Sequence, residues 1–217
     1  MLYARHAEII CSQLGLNDSK NRARTVNTPG IKEPIPDKQV LLKPSGTSQY
    51  RSIVMRANYL APDRSDIQFM GKELARKMSA PSEYDWGRLK RLGRYLLGRP
   101  RLELKYRFQK HVENLNCYVD SDYAGCLRTR KSTNGGCMMH GSHCIKTWSA
   151  NQSVIAISSG EAEFYALVKG SSELLGMMSI ARDLHVPFKR HLHSYSSAAI
   201  DMSQRKALGK VKHMHTQ

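Results

Sequence analysis

Two carboxylates, Asp120 and Glu163, carry the most chemical information in this 217-residue sequence. Leu115, Cys117 and Val119 alternate with Asn116, Tyr118 and Asp120. Period-two alternation predicts a strand with its apolar residues on one face, which leaves Asp120 on the opposite face at the centre of a sheet. Asp122 follows in the expected loop, and Asp120 also fits a simple turn start before Ala124-Gly125. Downstream, Ser158-Ser159-Gly160-Glu161-Ala162-Glu163 holds two glutamates with different tasks. Ser158 and Glu161 have the Ser-x-x-Glu spacing of a capping box, a structural use at a helix start. Glu163 instead opens the stripe Glu163, Leu167, Gly170, Leu174, Met177, Ala181, whose spacings of four and three place it on the buried face. A buried carboxylate costs roughly several kcal/mol unless a cation or donor compensates it. Asp120 and Glu163 are therefore candidate ligands for one shared divalent ion, and oxygen-only ligation favours Mg2+ or Mn2+. Paired metals of this kind support in-line attack of water on a phosphodiester, which takes more than two carboxylates.

A second cluster competes for a metal. Cys137, His140, His143 and Cys144 form a Cys-x2-His-x2-His-Cys run that can be read as zinc ligands, although tetrahedral closure over so short a hairpin is difficult. Met138, Met139, Met177 and Met178 read as core or gap-filling residues. His191 and His193 alternate on a strand and read as surface.

The elements that must position these groups follow from apolar period and punctuation. Residues 2–16 read as one short helix, and prolines and glycines from Pro29 to Gly46 mark a linker over about 17–48. From Tyr50, Ile53, Val54, Ala57 and Leu60 recur at helical spacing until Pro62 interrupts, and a second helix runs from about Asp66 to Met78. Ser82 caps a third helix with the stripe Leu89, Leu92, Leu96 and Leu97, ended by Gly98-Arg99-Pro100. Beyond Pro100 the period falls towards two. Leu102, Leu104 and Tyr106 alternate with charged residues and read as a strand, as does the stretch ending at Asp120. Two shorter strands are expected at Gly136–His140 and His143–Trp148, joined by a tight turn at Gly141-Ser142. The longest helix is expected from Ser159 to Leu184, before Pro187, then a strand near 190–195 and a helix from Ser196.

Composition sets the class of partner. The formal net charge is +16, and 50–110 is the most basic stretch, with 15 basic against 6 acidic residues. Clustered Lys and Arg release counterions from phosphate, so nucleic acid is the expected partner. No apolar run approaches the roughly 20 residues needed to span a bilayer, and no signal peptide is evident, which points to an intracellular chain, cytoplasmic or nuclear, with no membrane partner. Five unevenly spaced cysteines suit free thiols in a reducing compartment better than a disulfide framework.

Several ordered motifs resemble the ribonuclease H domain of copia-type retrotransposon Pol polyproteins. They are Tyr118-Val119-Asp120-Ser121-Asp122-Tyr123-Ala124-Gly125, Thr129-Arg130-Lys131-Ser132-Thr133-Asn134-Gly135, Trp148-Ser149, Gln152 and Ser158-Ser159-Gly160-Glu161-Ala162-Glu163-Phe164. Upstream, Tyr50-Arg51-Ser52, Arg64-Ser65-Asp66-Ile67, Pro81, Trp86 and Leu89 to Gly98 resemble the segment that joins the family's reverse transcriptase to ribonuclease H. The resemblance implies an α/β chain, a mixed α+β arrangement. Its parts are a helix and linker over 1–48, a helical connection segment over 49–100, and a ribonuclease H-like domain over 101–217. That domain is expected to have a central mixed sheet truncated before its last strand.

The resemblance also implies site roles. Asp120 and Glu163 match the family's first two catalytic, metal-binding carboxylates. The third position reads Tyr195-Ser196-Ser197-Ala198-Ala199, with tyrosine where the family has aspartate, and a phenol is a neutral, one-oxygen donor and a poor Mg2+ ligand. Gly209-Lys210-Val211-Lys212-His213 matches a basic family motif. The polymerase palm and its aspartates are not recognisable. Three readings remain open. One is a basic module that contacts RNA–DNA hybrid or duplex backbone through Arg128, Arg130, Lys131, Lys210 and Lys212. Another is an active, Mg2+- or Mn2+-dependent ribonuclease H. The third is a non-functional fragment of a decayed element. No protein partner is legible.

Overall fold

A computed structural model describes residues 2–17, 23–31, 34 and 36–205, and the chain folds as two units, Met1–Lys105 and Tyr106–Gln217. The first is helical, with α1 (Leu2–Gln13), α2 (Pro44–Leu60), a 3-10 turn (Ala61–Asp63), α3 (Ser65–Ala75) and α4 (Glu83–Gly98). Helix α1 ends in a Schellman turn: Gly15 takes φ +66°, its N–H bonds the Ser12 carbonyl, and the Leu16 N–H bonds that of Cys11. Helix α2 starts at Pro44, ahead of Tyr50 where the apolar period begins. Its first residue is proline, whose missing N–H would have had no helical partner, so the expected linker stops sooner. Ser82 caps α4 as expected, in a reciprocal box: Ser82 Oγ accepts from the Asp85 N–H and the Ser82 N–H donates to Asp85 Oδ2 at 3.0 Å. Ala7, Ile10 and Cys11 of α1 lie in the same buried cluster as Ile53, Ile67 and Leu92.

The second unit is a mixed sheet with two helices. Strands β1 (Asn114–Asp122), β2 (Thr133–His140), β3 (His143–Asn151) and β4 (Lys189–His193) stand in the order β3-β2-β1-β4. The β1–β2 and β2–β3 pairs are antiparallel and β1–β4 is parallel. With α5 (Ser159–Asp183) and α6 (Ser197–Gln204), this is the α/β arrangement expected of a ribonuclease H-like fold. The β2–β3 hairpin closes over Gly141-Ser142, with Gly141 at φ +60°. Leu115, Cys117 and Val119 face α5, and Gly170 lets the helix backbone approach so closely that the Cys117 thiol reaches the Gly170 carbonyl at 3.7 Å. Helix α5 also ends in a Schellman turn, here with His185 at φ +56°. The His185 and Val186 N–H groups bond the carbonyls of Arg182 and Ala181.

One expected strand is absent. Leu102, Leu104 and Tyr106 are exposed, and residues 101–113 pair with no strand. Alternation alone supplied the period; a ladder also needs a partner edge. Residues 106–109 instead lean on the hairpin through side chains, Tyr106 Oη donating to the Cys144 carbonyl at 2.9 Å and Gln109 Nε2 to that of His140 at 3.0 Å.

Candidate metal and nucleic-acid site

Strand β1 alternates in burial as its sequence requires, so Asp120 is exposed on the face away from α5 and Ser121 falls on the α5 side. Ser121 is the residue that holds Glu163. Its N–H and Oγ donate to Glu163 Oε1 at 3.2 and 3.1 Å. The Asp120 carboxyl lies close enough for its charge to act on Glu163. Glu163 is thereby raised above the ordinary glutamate range: partial burial contributes most, Ser121 opposes it, and Asp120 adds to it. The rest of the stripe behaves as its spacing predicts, with Leu167, Gly170, Leu174 and Ala181 buried and Met177 partly so. Asp122 is the last residue of β1, paired with Thr133, rather than a loop residue, because β2 starts early enough to extend the ladder to it.

Glu161 has the structural use its spacing suggests, by a different route. Ser158 Oγ accepts from the Glu161 N–H at 3.1 Å, but Glu161 Oε2 accepts from the Ile157 N–H at 2.8 Å, one residue before the cap. At 4% exposure it is the more deeply buried of the two glutamates. Gln152, given no role by sequence reasoning beyond its place in a motif, ties the sheet to the start of α5. Its Nε2 donates to Asn134 Oδ1 at 2.6 Å and to the Ala162 carbonyl at 2.8 Å, next to Glu163. Both partners are acceptors, so the amide orientation is fixed and Gln152 Oε1 is left buried without a partner. A lone buried-side glutamine ahead of a helix cap was the only signal available.

The loop from β1 to β2 presents the basic residues. Ser132 Oγ accepts from the Ala124 N–H at 3.0 Å, bracing its base. Arg128 and Arg130 are exposed, whereas the Lys131 ammonium is held by the Ser153 carbonyl. Lys210, Lys212 and His213 lie outside the described residues. Tyr195 lies two residues beyond the end of β4, in a bend. The β1–β4 ladder ends with the His193–Tyr118 pair, and Tyr195 beyond it is 95% exposed.

The zinc alternative dissolves. His140 Nε2 contacts the Val112 carbonyl and His143 Nε2 that of Arg107, each at 2.7 Å. Among the described residues no three His, Cys, Asp or Glu side chains converge on a metal position. Asp120 and Glu163 are two carboxylates, fewer than the set that a two-metal hydrolase uses. His193 and His191 are exposed, His193 stacking on Tyr118 with ring centroids 4.6 Å apart. No helix among the described residues is long and apolar enough to cross a membrane.

No family model matches the chain, and no solved structure matches it. Among curated proteins it is 34% identical over 139 residues to the retrovirus-related Pol polyprotein from transposon RE2 of Arabidopsis thaliana, covering 64% of this chain and 10% of that protein. It is 38% identical over 128 residues to an uncharacterized mitochondrial protein of the same plant, covering 58% of this chain and 52% of that one. The retrovirus-related Pol polyprotein from transposon RE1, also of Arabidopsis thaliana, is 32% identical over 168 residues, with coverage of 77% and 11%. The chain therefore spans about a tenth of the two polyproteins and about half of the mitochondrial relative.

Proposed function

This chain belongs to the family of retrovirus-related Pol polyproteins of copia-type transposons, and on that premise we propose that its second unit is a ribonuclease H-like module that binds RNA–DNA hybrid or duplex backbone without hydrolysing it. The observation that carries this reading is the contrast at one end of the sheet: Glu163 and Asp120 converge, while Tyr195 stands exposed in the third place. Asp120 and Glu163 would hold a single Mg2+ or Mn2+, whose chemistry when bound is neutralisation of a nearby phosphate oxygen. The chain's own residues do the rest. Arg128 and Arg130 contact backbone phosphates, Ser121 orients Glu163, and Gln152 keeps the first turn of α5 against the sheet.

Anisotropy of a labelled RNA–DNA hybrid across a salt series tests the binding. Affinity should fall steeply with salt, and Arg128→Ser with Arg130→Ser should reduce the slope by about one for each phosphate no longer neutralised. Affinity indifferent to salt would sink the reading. A cleavage assay with Mg2+ tests the rest: the unmodified chain should leave the hybrid intact, and robust cleavage by it would make the module an active ribonuclease H. Tyr195→Asp restores a third carboxylate, and tighter Mn2+ binding by that variant is the expected gain.

A further inference from the structure

An open cleft of about 650 Å3 lies at the far end of α5, between its last turns, the 185–188 connection and β4. It is lined by the apolar Leu175, Met178 and Phe188, by the cationic Arg182 and Arg190, and by His185. No carboxylate lines it. Arg182 alone has a plain structural explanation, because a cation in the last turn of a helix complements the helix dipole. Arg190 has no such explanation. It enters from β4, where it pairs with Leu115 and so projects to the α5 side of the sheet. Its neighbour Lys189 is already paired with Glu113, and no ion pair engages Arg182 or Arg190 among the described residues. The Schellman turn satisfies the carbonyls of Ala181 and Arg182, so the helix end does not consume these cations as hydrogen-bond donors.

We propose that this cleft binds a phosphate monoester carried on a flat heterocycle, either a free nucleotide or the 5′-phosphorylated end of a strand. Its volume falls in the range that takes small ligands. Two guanidinium forks from different elements, together with an imidazole, suit a dianion with three terminal oxygens better than a carboxylate with two. The apolar lining takes the ring. The site is separate from the Arg128–Arg130 loop and stands independently of the hybrid-binding proposal.

Isothermal titration of the full chain with adenosine 5′-monophosphate, adenosine, inorganic phosphate, octanoate, and dinucleotides with and without a 5′-phosphate tests it. Adenosine monophosphate or the 5′-phosphorylated dinucleotide should bind saturably and more tightly than adenosine, phosphate or octanoate. Whichever of the two binds better identifies the source, and either result supports the site. Arg182→Ser and Arg190→Ser, checked for unchanged far-ultraviolet circular dichroism and Tm, should each weaken binding about tenfold, and hybrid affinity should persist in both. Octanoate or adenosine binding as tightly as the phosphorylated probes would overturn the proposal. So would full affinity in the arginine variants, or no saturable binding of any phosphorylated probe. Loss of hybrid binding alone would leave the cleft standing and remove only the earlier reading.

Discussion

The partly buried Asp66 and Glu73 of the helical unit and Glu163 of the sheet unit are treated in opposite ways, while Glu173 of the sheet unit, paired with Lys146 and Lys169, sides with the first two. In the helical unit Asp66 is enclosed by Arg64 and Tyr95, the guanidinium donating to both Asp66 oxygens at 3.0 and 2.8 Å and Tyr95 Oη donating to Oδ2 at 2.8 Å. Burial pushes Asp66 up, but these donors and the Arg64 charge outweigh it, and the group titrates below the usual aspartate range. Glu73 behaves alike: burial is outweighed by Lys72 and Arg76. In the sheet unit Glu163 faces another carboxylate and is steadied only by the neutral Ser121, so it moves up instead. A carboxylate matched by its own cations is serving the fold. One held beside a like charge has no such structural match, and that contrast motivates the proposal of a divalent ion at Asp120 and Glu163.

Arg64→Ala should break the comparison most forcefully. Arg64 is 3% exposed and its guanidinium also donates to the carbonyls of Arg99 at 3.0 Å and Pro100 at 3.2 Å, so its loss strands a carboxylate and two peptide oxygens. A destabilisation of about 3 kcal/mol is expected in urea denaturation followed through Trp86 in α4. A change below about 1 kcal/mol would mean that solvent already satisfies the network.

The sheet unit should be most sensitive to close packing instead. A Cβ at Gly170 would collide with Val119 and come within 3.0 Å of Leu192, so Gly170→Ala forces α5 away from β1 and β4. The expected cost is about 1–3 kcal/mol, read from Trp148 emission in a Trp86→Phe background. Unchanged stability would mean that the helix rides over the sheet more loosely than the approach of Cys117 to Gly170 implies.

What was legible in the sequence follows the same divide between local and non-local causes. The α5 stripe, the Ser82 and Ser158 caps and the Gly141-Ser142 turn were readable because each depends on a few neighbouring residues. The false strand at Leu102, Leu104 and Tyr106 had the right period, but a strand exists only where another edge accepts it. Helix α2 was read late because its first turn, Pro44 to Thr47, carries no apolar period and is marked only by the proline. At the site, Asp120 and Glu163 were found from alternation and helical spacing. Ser121 and Gln152, which hold Glu163 and the turn around it, were not, because their partners lie 42 and 10 residues away and leave no pattern along the chain.

The finest test is electrostatic and turns on opposite signs. Asp66 titrates below its ordinary value of 3.8 when folded, so its contribution to stability is present above that pH and is lost as pH falls through the lower folded value. Glu163 titrates above its ordinary value of 4.5 when folded. The native state holds that proton more tightly, so its contribution is present below 4.5 and fades as pH rises through the raised value. Asp66→Asn should therefore flatten the acid limb of the stability profile. Glu163→Gln should flatten the decline above pH 4.5 and leave the protein slightly more stable than wild type at neutral pH, because the amide still accepts from Ser121 and no longer repels Asp120. Solvent screening at this half-exposed position keeps the gain below about 1 kcal/mol. Urea titrations between pH 3 and pH 8, again through Trp148, resolve it as a difference in slope. Divalent ion should reverse the ranking: with Mn2+ present the wild type gains stability from the carboxylate pair and Glu163→Gln does not. If Mn2+ stabilises both equally, the two carboxylates are near neighbours without a common ligand.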